Sequence, residues 1–247
     1  MTVQRAAELL SAARNGVAFT GAGVSAESGI PTFRGPGGLW TKYDPIKVAT
    51  IAVFLEDPAA YWRASKERGG LALAARPNPG HYALAALEAA GRLVAIVTQN
   101  TDGLHQDSGC RRVIELHGSS RTVQCLDCGT REQRADVQAR LEVEMPPRCR
   151  SCGGRSLKPT VVLFGEPMPV PSTQEAFALA RQADVMLVVG SSLVVHPAAA
   201  IPLAAARSGA RLIIVNAEPT PFDSLADLVI HGPSGEVLPR ITSLIDA

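Results

Sequence analysis

A short apolar run followed by a glycine-rich turn constrains the fold of this chain more than any other feature. Residues 17–20 have the composition of a buried β-strand, and the next six residues, Gly21 to Ala26, read G-x-G-x-x-A. In dinucleotide-binding folds the first glycine permits a tight turn, the second lets the backbone approach a pyrophosphate, and the small third residue allows close packing. The pattern therefore predicts the first strand and turn of a nucleotide-binding sheet.

The residues after this turn depart from the pattern of an ordinary dehydrogenase. A long amphipathic helix and a second strand ending in an acidic residue are expected there, but residues 29–38 read Gly-Ile-Pro-Thr-Phe-Arg-Gly-Pro-Gly-Gly. Because proline and glycine interrupt helices, we expect a loop that does more than hold a phosphate. An NAD-linked oxidoreductase is consequently a weaker alternative.

Apolar, β-branched runs alternate with helical segments along the rest of the chain. Strands are predicted at 17–20, 93–98, 113–116, 160–164, 185–189, 212–215 and 228–230, and helices at 3–13, 81–90, 174–182, 197–208 and 235–245. This alternation predicts an α/β fold, a Rossmann-like parallel sheet with helices on both faces. Two segments lack the pattern, so we expect a helical module at 39–79 and a small insert at 124–155. The nucleotide-binding domain would then consist of residues 1–38, 80–123 and 156–247.

The insert holds four of the five cysteines of the chain, arranged as two C-x-x-C pairs. Cys125 pairs with Cys128 and Cys149 with Cys152, and a glycine follows each pair where the backbone must turn. Two such pairs supply four thiolates for tetrahedral Zn²⁺, and because they fill the coordination sphere we expect a structural metal. Two redox dithiols and a nucleic-acid-binding ribbon are the alternatives. The fifth cysteine, Cys110, is interpreted as an ordinary buried or half-buried thiol.

Polar side chains follow several predicted strands at their carboxyl ends. They occur in Thr-Gln-Asn-Thr-Asp (98–102), Glu-Leu-His-Gly (115–118), Gly-Ser-Ser (190–192) and Asn-Ala-Glu (216–218). Each alone could be a polar turn or a helix cap. Because the carboxyl ends of parallel strands meet at one edge, where open α/β sheets bind ligands, we expect one common site. His117 is its candidate general base.

Composition and charge exclude several classes of function. The formal net charge of +1 over 247 residues gives no reason to expect bulk electrostatic binding to nucleic acid or membrane. No apolar run approaches the roughly 18 residues needed to cross a bilayer, and no signal peptide is recognisable. We therefore expect a cytoplasmic protein, in which five cysteines favour metal or redox chemistry over disulfides.

Taken together, these motifs resemble the sirtuins, the NAD-dependent protein lysine deacylases. The resemblance covers nearly the whole chain in the order of the family, through residues 21–34, 98–103, 115–118, the four cysteines, 164–166, 190–192 and 215–218. It implies NAD and one structural Zn²⁺ as cofactors, and removal of acyl groups from protein lysines with release of nicotinamide and O-acyl-ADP-ribose. Mono-ADP-ribosyl transfer by the same site is an alternative, and a zinc-dependent interaction module with a vestigial NAD site is another.

The resemblance also implies roles for the matching positions. His117 would be the general base, and Asn100 and Asp102 would hold the nicotinamide carboxamide. The other positions expected to contact the cofactor are Gly21, Ala22, Gly23, Ala26, Thr32, Phe33, Arg34, Trp40, Gln99, Gly190, Ser191, Ser192, Asn216, Ala217 and Glu218. The partner would be an acyl-lysine protein or peptide in extended form, paired with residues 162–166 through Val162, Phe164 and Gly165.

One departure from the family pattern concerns the acyl group. Thr32 stands where many deacetylases carry Asp and, with residues 35–40 and Ala49, looks like the desuccinylase/demalonylase branch. That branch reads an acidic acyl group with a Tyr-x-x-Arg pair on a helix. Here Arg68 stands at the arginine position but Ser65 at the tyrosine position. We therefore expect deacetylation, and activity on succinyl- or malonyl-lysine that is weakened by the missing phenol.

Overall fold

The computed structural model describes residues 2–34, 38–41 and 44–245. Its strands are β1 (Gly16–Thr20), β2 (Leu93–Thr98), β3 (Val113–Glu115), β4 (Gly118–Cys125), β5 (Arg131–Gln133), β6 (Leu157–Val161), β7 (Val185–Val189), β8 (Arg211–Asn216) and β9 (Leu228–His231). Its helices are α1 (Thr2–Ala12), α2 (Pro45–Val48), α3 (Ile51–Glu56), α4 (Pro58–Ala74), α5 (Pro79–Ala89), α6 (Leu104–Asp107), α7 (Arg134–Arg140), α8 (Val170–Gln182), α9 (Ala200–Arg207) and α10 (Ser234–Ile245). Short 3₁₀ helices span Ala22–Ser28, Leu39–Thr41 and Asp223–Leu225.

The larger sheet has six parallel strands in the order β3-β2-β1-β7-β8-β9. All five residues of β1 and all five of β7 are buried, as expected for strands covered on both faces. The chain moves outward in one direction from β1 to β3 and in the other from β7 to β9. A crevice therefore forms beside β1 and β7, at the carboxyl ends of the strands.

Two apolar clusters cover the two faces of this sheet. Ala18 of β1 faces one cluster, together with residues of α1, α5 and α10. Its neighbours Val17 and Phe19 face the other, together with residues of α8 and α9. Alternate side chains of one strand thus enter opposite cores. The predicted α/β architecture with helices on both faces is confirmed.

The smaller sheet has three antiparallel strands in the order β5-β4-β6. The sequence predicted a strand at 160–164 belonging to the parallel sheet, and that prediction is wrong in both extent and partner. The strand is Leu157–Val161, paired with β4. Val162 continues this pairing by donating its N–H to the His117 carbonyl, and Phe164 leaves it, because its N–H donates to the Ala49 carbonyl.

The segment predicted as helical contains α2, α3 and α4 and packs on the smaller sheet. Phe54 and Trp62 share one buried cluster with Val123 and Leu157, and the Trp62 indole N–H donates to the Leu157 carbonyl at 3.0 Å. These two parts of the molecule therefore have a common core. The division of the chain into three modules stays a prediction. Among the described residues, no helix has the length and apolar character needed to cross a bilayer.

Candidate active site

The polar strand ends predicted to form one site line a single cavity of about 1020 Å³. The turns after β1, β2, β7 and β8 all open into it, and so does His117, two residues beyond β3. Most of the predicted residues line it: Gly21, Ala22, Gly23, Thr32, Phe33, Arg34, Ser65, Arg68, Gln99, Asn100, Asp102, His117, Val162, Phe164, Gly165, Gly190, Ser191, Ser192, Asn216, Ala217 and Glu218. The parallel sheet thus brings together residues that are far apart in the sequence.

One predicted position lies outside this group, and the side chain of another is not described. Ala26 is exposed and does not line the cavity. The side chain of Trp40 lies outside what the structure describes, as do Gly35, Pro36 and Gly37 of the glycine-proline loop. After β1 the chain forms a seven-residue 3₁₀ helix that ends at Gly29, whose φ is +82°. The expectation that no long helix follows the first turn is confirmed.

The glycines after β1 pack directly against the turn after β7. A Cβ on Gly23 would lie 2.7 Å from the Gly190 Cα, and a Cβ on Gly21 would lie 2.8 Å from the Gly190 carbonyl oxygen. The Gly23 N–H donates to that same carbonyl at 2.8 Å. Small residues are therefore needed so that two turns can meet, and their contact forms a backbone-lined floor for the cavity. Such a floor fits a pyrophosphate, which needs close approach to backbone N–H groups.

Asn100 and Asp102 lie beside this floor and are both 8% exposed. The Asn100 amide donates to the Gly21 carbonyl and to the Ser25 Oγ, each at 3.1 Å. The Asp102 carboxylate accepts from the Ser25 hydroxyl at 2.8 Å and from the Leu104 N–H at 3.0 Å. These contacts fix both side chains, and they leave the Asn100 carbonyl oxygen as an acceptor suited to an amide ligand.

Ser25 and the buried histidine His81 are functional residues that the sequence prediction missed. The His81 Nδ1 accepts from the Asn78 N–H at 3.3 Å, so its neutral ring carries the proton on Nε2, 3.4 Å from the Ser25 Oγ. Burial lowers the pKa of His81 to about 4, although Asp102 and Glu27 oppose the shift. Ser25 accepts from Asn100 and His81 and donates to Asp102, which orients both predicted residues. Its place inside the glycine-rich turn was the available signal.

A second buried histidine, His105, packs against His81. The His105 ring is 5.0 Å from the His81 ring between centroids, and its Nε2 is 2.9 Å from the Thr20 Oγ1. Burial, reinforced by His81, lowers the pKa of His105 to about 3. Both histidines are therefore neutral near pH 7, and they act as fixed hydrogen-bonding groups.

His117 has the geometry of a general base. Its Nδ1 lies 3.1 Å from the Gln99 carbonyl, which can only accept, so Nδ1 carries the proton and Nε2 is the basic nitrogen. Burial lowers the pKa of His117 below its usual value, and the hydrogen bond to Gln99 opposes this shift. The Gln99 amide in turn donates to the Ser191 Oγ at 2.9 Å. One residue thus connects the base to the turn after β7.

One face of α4 lines the other half of the cavity. Tyr61, Ser65 and Arg68 recur at helical spacing and all border it. The Arg68 guanidinium lies over the Phe33 ring, 4.2 Å from its centroid. Thr32, one residue earlier, donates its hydroxyl to the Arg34 carbonyl at 2.8 Å. The loop after the 3₁₀ helix is therefore in contact with the helix predicted to read the acyl group.

The segment predicted to pair with a peptide is partly engaged within the chain. The Phe164 carbonyl accepts from the Ile51 N–H at 3.0 Å, and its N–H donates to the Ala49 carbonyl at 2.9 Å. The Leu163 N–H donates to the Glu166 carboxylate at 2.8 Å. An extended ligand would thus have to pair with other backbone groups of 162–166. Gly165, whose φ is +90°, lies in a turn that the Glu166 N–H closes by donating to the Leu163 carbonyl at 3.0 Å.

The four predicted metal ligands form one cluster. The sulfur atoms of Cys125, Cys128, Cys149 and Cys152 all lie within 4.8 Å of one another. The Cys125–Cys152 and Cys128–Cys149 separations are 3.6 and 3.7 Å. A tetrahedral Zn²⁺ with Zn–S distances of about 2.3 Å requires S–S distances of about 3.8 Å, so the cluster fits this ion. Cys110 is buried elsewhere, beside the Ser108 hydroxyl.

Glycines permit the turns that present these sulfurs. Gly129 and Gly153 have φ values of +77° and +74°. Their N–H groups donate to the carbonyls of Cys125 and Cys149. The prediction that each pair needs a glycine after it is confirmed.

Comparison with known proteins finds relatives over almost the whole chain. The sequence model described as the Sir2 family matches residues 21–197. A relative in Archaeoglobus fulgidus, named NAD-dependent protein deacylase 2, is 52% identical over 239 residues, which is 97% of this chain and 94% of the relative.

Solved structures agree with this match. A Sir2 structure with a deacetylated p53 peptide and 3′-O-acetyl-ADP-ribose has a TM-score of 0.95 and 41% identity, and the match covers 98% of each chain. The structure of Sir2Af2 bound to a myristoylated histone peptide has a TM-score of 0.85 and 42% identity, with 99% of this chain and 96% of that chain covered.

Proposed function

Because this chain belongs to the Sir2 family, we propose that it removes acyl groups from lysine side chains of proteins, with NAD as the co-substrate. The observation that carries the proposal is that an oriented His117, the Asn100–Asp102 pair and the glycine floor all line one cavity. The expected products are the free lysine, nicotinamide and O-acyl-ADP-ribose.

NAD supplies the electrophilic ribose carbon and the hydroxyl group that takes over the acyl group. We assign its pyrophosphate to the floor formed by the turns after β1 and β7. Gln99 and Ser191, which contact each other at 2.9 Å, are placed to orient a ribose. Asn216, Ala217 and Glu218 at the end of β8 border the same cavity and are assigned to the adenosine.

Asn100 and Asp102 are assigned to the nicotinamide carboxamide. Ser25 and the backbone hold both side chains before any ligand arrives, so little ordering is needed on binding. Ile30, Phe33 and Arg34 border the cavity near these residues. We assign to the loop that carries them the role of shielding the reacting carbon from water, which would otherwise compete with the acyl oxygen.

His117 is assigned the role of general base through Nε2. Its Nδ1–H is held by the Gln99 carbonyl at 3.1 Å, which fixes both the tautomer and the ring orientation. The lowered pKa keeps the imidazole neutral near pH 7. It can therefore take a proton from a ribose hydroxyl that attacks the acyl carbon.

The acyl group is proposed to lie between α4 and residues 162–166. The described walls of this part of the cavity include Ala49, Ala64 and Leu163, which suit an apolar acyl chain. Arg68 adds a cation, but Ser65 in place of tyrosine removes one donor. We therefore propose deacetylation as the main activity, with weaker removal of succinyl and malonyl groups.

Mass spectrometry of one peptide carrying different acyl-lysines tests the proposal. With NAD, wild type should release the acyl group and form one nicotinamide and one O-acyl-ADP-ribose per turnover. His117→Ala should lose deacylation by at least a hundredfold, the usual range for a general base. Full deacylation by His117→Ala would remove His117 from the role of base. ADP-ribose attached to protein without deacylation would favour the mono-ADP-ribosyltransferase instead.

The partner and the compartment are also proposals. We propose that an acyl-lysine peptide binds in extended form at 162–166, supported by the position of this segment on the wall of the cavity. We also propose a cytoplasmic location, because the thiolates of a Cys₄ zinc cluster suit a reducing compartment. Fractionation of cells that express the tagged chain checks the location.

A further inference from the structure

A buried arginine from α7, a helix within the segment that holds the four cysteines, borders the part of the cavity that we assign to the acyl group. Arg134, the first residue of α7, is 3% exposed and borders the cavity beside Ser65, Arg68 and Gly69. It thus reaches the predicted acyl-reading face of α4 from a different module. No sequence motif marked Arg134, because it is one of many arginines in this part of the chain.

The position of the guanidinium is tightly specified. One terminal nitrogen donates to the Ser65 carbonyl at 3.3 Å and to the Gln138 side-chain oxygen at 2.7 Å. The group lies over the Trp62 ring, 4.8 Å from its centroid. A Cβ on Gly69 would overlap that same terminal nitrogen. The absence of a side chain at Gly69 is therefore what makes room for Arg134.

Two buried polar groups near Arg134 have no hydrogen-bond partner within the described ranges of the chain. Among the described residues, the Arg134 Nε and the Ser65 Oγ are buried without a hydrogen-bond partner. A buried polar group without a hydrogen-bond partner is unfavourable, so two together are a costly arrangement unless a ligand uses them. The unpartnered Nε is a guanidinium donor of the kind that binds carboxylates.

Positive charge is also left uncompensated there. In the part of the chain that the structure describes, neither Arg68 nor Arg134 is within 4.0 Å of a carboxylate. The nearby acids have other partners, since Glu166 pairs with Lys158 at 2.9 Å and Asp102 accepts from Ser25. Two guanidinium groups that form no ion pair with a described residue and border one cavity would attract an anion.

We propose that Arg134, together with Arg68 and the Ser65 hydroxyl, binds the terminal carboxylate of a dicarboxylic acyl group on the substrate lysine. This inference rests on the proposed deacylase function and adds a specificity-determining residue to it. Arg134 supplies the donor that is missing where Ser65 replaces tyrosine. The remaining acidic-acyl activity of the enzyme then depends on a residue outside α4.

A purely structural role for Arg134 makes a different prediction. The guanidinium joins α7 to α4, but Gln138 joins them as well, because its amide donates to the Lys66 carbonyl at 2.9 Å. If Arg134 only held the two helices together, its loss would affect every acyl group equally. If it binds the acyl carboxylate, its loss would affect only the acidic ones.

The test compares kcat/KM for acetyl-, malonyl-, succinyl- and glutaryl-lysine in one peptide sequence. Arg134→Gln should lower the ratio of acidic to acetyl activity at least tenfold for the acidic group that wild type handles best. Gly69→Ala should lower the same ratio by displacing Arg134, although alanine is the better helix former. Glu142→Gln, which removes the 2.8 Å ion pair between the segment after α7 and Lys66 of α4 and leaves both arginines and Gln138 in place, should leave the ratio unchanged.

An unchanged ratio in both Arg134→Gln and Gly69→Ala would overturn the proposal, and so would an equal fall in Glu142→Gln. Fluorescence anisotropy with labelled acetyl- and succinyl-lysine peptides gives a readout that needs no turnover. If wild type proves inactive on every peptide with NAD, the deacylase function fails. The binding preference for the succinyl peptide, and its loss in Arg134→Gln, would still decide the role of Arg134.

Discussion

At the scale of single residues, the burial of His117 decides how the site responds to pH, and the hydrogen bond to the Gln99 carbonyl opposes its effect. Burial lowers the pKa of His117 below its usual 6.5, so the imidazole stays neutral and basic into mildly acidic solution. Activity should persist as pH falls through 6.5 and should be lost only at lower pH, where the ring gains a proton. The profile of kcat/KM against pH reports this value for the free enzyme.

The two buried histidines and one carboxyl group have to be separated from His117 in this part of the profile. Burial lowers the pKa of His81 to about 4 and that of His105 to about 3, and it raises the pKa of Glu115 above its usual value, so an acidic limb below 6.5 that persists in a Glu115→Gln variant belongs to His117. Circular dichroism at each pH controls for unfolding, since charging either buried histidine destabilises the native state. An acidic limb centred above 6.5 would contradict the assignment.

Individual residues were predictable from the sequence only where a motif marks them. His117 and Asn100 follow strands, so the rule that ligands bind at the carboxyl ends of parallel strands predicted their place. Ser25 and His81 are 56 residues apart and meet only in the folded chain. In the sequence nothing distinguishes Arg134 from the other arginines, because only the folded structure shows that it occupies the space beside Gly69. Contacts of this kind depend on packing between elements, which periodicity does not encode.

At the scale of elements, strands buried on both faces were the most predictable. β2 and β7 have the predicted bounds, because a continuous apolar run bounded by polar residues matches such a strand. β4 and β5 were not predicted, since their polar sequences lack that signal. These two strands are held in place by the cysteine cluster and by packing against Trp62. The apolar run at 160–164 was misassigned because it continues past the end of β6 into a loop.

The contact between the turns after β1 and β7 gives a prediction for one element. Gly190 has a φ of +60°, and a Cβ there would lie 2.3 Å from the Val24 nitrogen. Gly190→Ala should therefore separate the two turns, weaken NAD binding at least tenfold, and lower stability by more than the roughly 1–2 kcal/mol of left-handed strain. Calorimetric titration with NAD and thermal melting measure the two effects.

Gly209→Ala is the matched control for this prediction. Gly209 also has a positive φ, +95°, but a Cβ there would have no neighbour within 4 Å. This variant should lower the melting temperature and leave NAD affinity unchanged. Equal NAD affinity in Gly190→Ala and wild type would show that the two turns do not form the pyrophosphate floor.

At the scale of the whole molecule, β4 connects the chemistry to the metal cluster. The strand begins at Gly118, directly after His117, and ends at Cys125. Its partner β6 leads into residues 162–166, and the core beneath both strands includes Trp62 of α4. The base, the peptide-binding segment and the acyl-reading helix are therefore all supported by the smaller sheet. The parallel sheet has two separate cores of its own.

Removal of the metal should therefore disrupt the part of the site that the smaller sheet supports more than the part that the parallel sheet supports. We expect one Zn²⁺ per chain by metal analysis, and a structural site of this kind contributes roughly 10–16 kcal/mol to folding of its module. Chelation should unfold the smaller sheet and expose Trp62, which a red shift in the fluorescence of a Trp40→Phe variant would report. Deacylation should be lost while much of the parallel sheet persists, giving two thermal transitions.

The control is Cys110→Ser. Because Cys110 lies outside the cluster, this variant should keep the metal and show a single transition. A chelated protein that retains its activity and its melting temperature would show that the smaller sheet stands without the metal.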